Sequence, residues 1–183
     1  MSKEQVDALI LAGNIFLDDA DRLRLAVMTI YGARAGEIAA LSYKDIDLPG
    51  KTITIAREKS GATRSQPIPE SLMFVFAAPI QSCPVISIHK KIKKWGRLAG
   101  FRLASGVGVH SIRSRVITEL KMMGIDTYDI YSFMCWSKHS FGMLPHYIKI
   151  PQEVSDTKIL EVHPFVKSWE ESVHICKNMI ILW

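Results

Sequence analysis

Residues 51–69 hold two short stretches, KTITIAR and ATRSQPIP, joined across Lys59-Ser60-Gly61. In the first, Thr52 and Thr54 alternate with Ile53 and Ile55, the two-residue period of a strand with one buried face. This pair is the one place where that period is read, so the sheet can be little more than a hairpin. Elsewhere the apolar residues recur at helical spacing. Helices are therefore predicted over 3–12, opened by Ser2, over 18–30 with acidic residues in its first turn, and over 35–41 after a break at Gly32. A further helix is predicted near His110, with Ile112, Val116, Leu120 and Met123 as its apolar stripe and Gly124 as its stop. Residues 126–136 also read as helical. The segment 71–105 is helical in part, with loops around PIQSCPV and ASGVG. The expected class is α+β, mostly helical, with a small antiparallel hairpin or sheet.

Length and charge narrow what such a chain does. At 183 residues it can bury a real core. No apolar run approaches the ~20 residues that cross a bilayer, and the opening MSKEQVDALI has no signal-peptide pattern. Cys83, Cys135 and Cys176 are scattered, with no CxxC pair, so an intracellular, reducing setting is expected. The formal charge of +5 leans towards a polyanionic partner. Its distribution says more: in HKKIKKWGRLAGFR, residues 89–102, six of fourteen positions are basic, namely Lys90, Lys91, Lys93, Lys94, Arg97 and Arg102. Ile92, Trp95 and Leu98 or Ala99 fall between them at helical intervals. That is an amphipathic helix with a basic outer face, either a track for phosphates or a solvated surface.

Four separated pieces carry donors or a nucleophile. GARAGE places Arg34 three residues before Glu37; REKSG places Lys59 at the hairpin tip; HSIR gives His110 and Arg113; LPHYIKI presents Tyr147. Taken singly each has a plain alternative: a surface pair for Arg34 and Glu37, a solvated lysine for Lys59, a core aromatic for Tyr147. Tyr128 and Tyr131 lie on an amphipathic stretch and read as packing residues. Cys135, His139 and His146 lack the second ligand pair that zinc needs, so no metal is expected.

In order and separation these pieces resemble the tyrosine recombinase (phage integrase) family, over about residues 3–150. YGARAGEIAALSYKDIDL is similar to its G-x-R-x-x-E box, and VHSIRSRVITELKMMGID to its H-x-x-R box. The resemblance implies site-specific cutting and rejoining of double-stranded DNA through a 3′-phosphotyrosyl intermediate, with no cofactor. Tyr147 would be the nucleophile, Arg34 and Arg113 a clamp on the phosphate oxygens, His110 a further donor or base, and Lys59 the acid for the departing 5′-oxygen. Lys51, Arg57 and Arg64 are alternatives to Lys59. Trp136 fits the family's remaining phosphate donor better than His139 does, at eleven and eight residues before Tyr147. Glu37 would orient Arg34.

The resemblance further implies a catalytic domain over 1–150; in the C-terminal tail over 151–183, FVKSWEESVHICKNMIILW reads as a helix with Phe165, Trp169, Val173 and Cys176 inward, docking in cis or on a neighbouring subunit. The family's N-terminal core-binding domain is expected to be absent. Expected partners are duplex DNA and copies of the chain, as a tetramer, with no membrane. The expected location is the cytoplasm or nucleoid, or a host cell if the source is viral. Other readings are a DNA-binding regulatory module without turnover and a type IB topoisomerase.

Overall fold

In the computed structural model, residues 1–56, 63–135 and 152–181 are described. The helices are α1 (Lys3–Phe16), α2 (Asp19–Tyr31), α3 (Ala35–Ala40), α4 (Met73–Phe76), α5 (Val85–Leu98), α6 (Val109–Met122), α7 (Thr127–Phe133), α8 (Gln152–Val162) and α9 (Pro164–Ile181). Three strands, β1 (Ile46–Asp47), β2 (Thr52–Ile55) and β3 (Arg64–Pro67), form one antiparallel sheet in that order. No helix among the described residues is long and apolar enough to cross a membrane.

Local chemistry sets the helix ends. The Ser2 hydroxyl accepts from the Gln5 amide at 3.2 Å while the Gln5 side chain accepts from the Ser2 amide at 3.0 Å, the reciprocal cap that starts α1. Asp18 caps α2 by accepting from the Asp21 amide at 2.8 Å. Helix α2 ends at Gly32, which adopts the left-handed conformation (φ +56°) that a side chain disfavours.

Every residue of α2 from Leu23 to Tyr31 is buried, so this helix is the axis of the fold. Helices α1, α4, α6 and α9 pack around it. Helix α1 presents Val6, Leu9, Ile10 and Gly13 inward. At Gly13 an added Cβ would lie 2.8 Å from Leu25, so the glycine permits close approach of α1 to α2. In the sheet, Ile53 and Ile55 point inward with Gln66 opposite Ile53. The alternation read from KTITIAR sets this register.

Helix α9 lies along α1 and closes the core. Trp169 is fully buried and donates from Nε1 to the Thr29 hydroxyl at 2.9 Å. Ser168 donates to Asp7 at 2.7 Å, and Asn14 donates to Ser172. Phe165 is also fully buried, whereas Val173 and Cys176 are half-exposed rather than inward. Within the α9 N-terminal turn, His163 Nδ1 accepts from the Phe165 amide at 3.2 Å. Its ring sits between Phe133 and Phe165. With no exposure at all, burial pushes the His163 pKa from 6.5 down to about 3; the Ile30 carbonyl works the other way without offsetting it.

Several boundaries differ from the sequence reading. Helix α5 begins at Val85, four residues before the basic run, and stops at Leu98, before Gly100 (φ +84°). Arg102 is therefore outside the helix. Met123 is 44% exposed and lies beyond the α6 stripe, whose buried members are Ile112, Val116 and Leu120. Helix α7 is shorter than expected and ends in a turn at Cys135 (φ +51°).

Candidate nucleic-acid interface and active site

The α2–α3 turn and the start of α6 meet across a cavity of about 320 Å³. Gly32 turns the chain out of α2, Ala33 is buried, and Arg34 stands as the residue before α3. The Glu37 carboxylate, 2% exposed, accepts from the Arg34 amide at 2.8 Å and from its Nη1 at 2.9 Å. The carboxylate thus orients Arg34. Among the described residues, Arg34 Nε and Nη2 have no partner, and the side chain is 32% exposed along the cavity.

From the other side, the chain enters α6 at Gly108, and Ser111 Oγ accepts from the Gly108 amide at 3.4 Å. His110 and Arg113 follow one turn apart and both line the cavity. His110 is exposed. Arg113 is 2% exposed; its Nη1 donates to the Gly32 carbonyl and its Nη2 to the Met134 carbonyl at 3.4 Å. Two backbone oxygens, from the ends of α2 and α7, therefore fix the guanidinium plane. A guanidinium stays charged at any working pH, and a buried charge acts strongly on anything entering the cavity.

Three donors from two distant parts of the chain, Arg34, His110 and Arg113, thus border one space. His89 and Val85 of α5 complete the wall. Sequence reasoning passed over His89, although it opens the quoted basic run; nothing in its spacing distinguishes it from the lysines that follow. Lys59, Trp136, His139 and Tyr147 lie outside the described residues. No group of three or more His, Cys, Asp or Glu among the described residues could hold a metal ion.

Helix α5 runs outward from this cavity. Ile88, Ile92 and Trp95 are buried where α5 packs on α1 and α3, which leaves Lys90, Lys93, Lys94 and Arg97 exposed. Lys91 differs from its neighbours. Its Nζ lies 2.7 Å from both carboxylate oxygens of Asp21, which also pairs with Arg24 at 2.9 Å, and Arg24 in turn donates to the Gln81 carbonyl. This lysine fastens α5 to α2. Arg102 is exposed in the loop that follows.

No family model matches the chain, and no curated protein matches it in sequence. Solved structures do. The chain superposes on XerA recombinase with a TM-score of 0.62 at 17% identity, over 90% of this chain and 63% of that one. It superposes on an integrase from mycobacterium phage Brujita with a TM-score of 0.59 at 18% identity, over 92% of this chain and 55% of that one. The chain spans less than two thirds of either protein. At such identities the likeness is one of architecture: this is a tyrosine-recombinase-like fold, mostly helical around a small antiparallel sheet.

Proposed function

We propose that the chain cuts and rejoins duplex DNA as the catalytic part of a tyrosine recombinase. The observation that carries the reading is the convergence of Arg34, His110 and Arg113 on one cavity, with an exposed basic helix face leading away from it. A phosphodiester entering there gains charge on its non-bridging oxygens as it becomes five-coordinate. Fixed guanidinium donors stabilise that state more than the ground state. Arginine suits the task because its planar fork stays charged and holds two oxygens.

In the proposed reaction Tyr147 Oη bonds to phosphorus as the bond to the 5′-oxygen breaks. The phenol proton passes to His110, and the departing 5′-oxygen takes a proton from Lys59. The phosphotyrosyl bond conserves the energy of the broken linkage, so a second 5′-hydroxyl can reverse the step on another strand. Lys90, Lys93, Lys94 and Arg97 would follow the DNA backbone, and assembly as a tetramer on two duplexes would pair the strands.

A nicked duplex whose short released fragment, the one bearing the new 5′-hydroxyl, diffuses away traps the covalent state. The native chain should give a protein–DNA adduct and Tyr147→Phe none. A mobility shift with no adduct from the native chain would replace this reading with that of a DNA-binding module.

A further inference from the structure

We propose that the buried Gln66 is a positioning residue that locks strand β3, and with it the hairpin carrying Lys59, to the backbone groups that hold Arg113. The proposal rests on the reading above. Gln66 is fully buried on the inner face of the sheet, opposite Ile53. An aliphatic side chain would fill that place without the cost of desolvating a primary amide. The amide is used at both ends: Nε2 donates to the Phe133 carbonyl at 2.9 Å, and Oε1 lies 3.9 Å from the Cys135 thiol.

The neighbours of these contacts give them their meaning. At the end of α2, Tyr31 donates from its hydroxyl to the Pro67 carbonyl of β3 at 2.7 Å, and the next residue, Gly32, supplies an acceptor to Arg113. At the end of α7, Phe133 accepts from Gln66, and the next residue, Met134, supplies the other acceptor to Arg113. The Tyr31 and Phe133 rings stack at 6.0 Å, closing the gap between the two ends. Each helix end thus holds the strand with one residue and the arginine with the next. Gln66 thus seats β3 on the frame that holds Arg113, and loss of its amide loosens the strand without removing either acceptor of the arginine. Residue 135 follows with φ +51°, a conformation few residues other than glycine adopt.

Gln66→Met keeps the length of the side chain and removes both polar ends. Adduct formation is measured at saturating DNA on two nicked duplexes, one with an ordinary phosphodiester and one with sulfur in place of the 5′-bridging oxygen. Sulfur departs as a thiolate and needs no proton, so the second substrate does not depend on the hairpin acid. The variant should be slower by about 10-fold or more on the oxygen substrate, ~1.4 kcal/mol in the barrier. On the sulfur substrate, and in the DNA concentration for half-saturation, it should stay within about 2-fold of the native chain. Gln66→Glu, kept neutral by burial, can still donate to Phe133 and should hold near-native rates. An unchanged rate on oxygen, or an equal loss on both substrates, would overturn the proposal.

A second measurement does not depend on cleavage. In a Cys83→Ser, Cys176→Ser background, alkylation of the buried Cys135 should quicken with Gln66→Met by about 10-fold, as local opening becomes easier by ~1.4 kcal/mol. If the native chain forms no adduct on either substrate, the recombinase reading fails. The coupling then stands on faster labelling and falls on an unchanged rate.

Discussion

His163 offers a measurable link between pH and the integrity of the core behind the site. In the unfolded chain it titrates near 6.5, and in the folded chain near 3. Between those values the unfolded state binds a proton that the folded state does not, so stability rises with pH across this window and falls on acidification. From the two values, the loss between pH 7 and pH 5 attributable to this group is about 2 kcal/mol, against a total near 5–15 kcal/mol for a typical domain. Other carboxyl and imidazole groups titrate in the same range, so the variant His163→Asn is needed as a reference. Its amide oxygen can accept from the Phe165 amide as Nδ1 does, and it does not titrate. Urea unfolding of both chains at pH 7 and pH 5 gives the difference of differences. Asparagine leaves a smaller filled volume, but that deficit is the same at both pH values and cancels. The native chain should lose about 2 kcal/mol more than the variant on acidification. Equal losses would mean that the imidazole is hydrated in the folded state, and the argument from burial would fail.

At Gly32, substitution by alanine meets a left-handed backbone and places Cβ against the Met134 side chain; it should cost about 1–3 kcal/mol in urea unfolding and also slow adduct formation, because the Gly32 carbonyl holds Arg113. Arg34→Ala should reduce the adduct rate by about 100-fold or more, with Arg34→Lys recovering only part of it, since an ammonium cannot reproduce the fork. Among the lysines of α5, Lys93→Gln or Lys94→Gln should each lower the salt dependence of DNA binding by roughly one ion. Lys91→Gln should instead lower the melting temperature, because its partner is Asp21.

The parts of the fold that were legible in the sequence are those where burial and polarity alternate cleanly. Ile53 and Ile55 announce β2, and Ser2, Asp18 and Gly32 mark the ends of α1 and α2. Helix α8 is not legible in this way. Its inner face includes Ser155 and Asp156 beside Ile159 and Leu160, so no apolar stripe shows. The start of α5 is hidden for a different reason: Val85 and Ile86 are exposed, so the helix opens without the inward apolar residues that periodicity seeks. For the site, H-x-x-R and G-x-R-x-x-E single out residues that border one cavity, because a motif records chemistry that local spacing must preserve. Gln66 carries no such signal. A polar residue at an inward strand position looks like an outward one until its partners, 67 and 69 residues away, are in place.

Two of the acceptors that orient Arg113 are peptide oxygens, and every amino acid supplies one. Position 134 therefore needs no particular functional group, only an apolar side chain that fills the core where Met134 packs against Gly32. Libraries restricted to apolar side chains of similar size at 134 should retain a correctly aimed guanidinium, whereas a single inserted residue between 133 and 135 should swing it away. Searches that score only reactive side chains will overlook such supports in distant relatives.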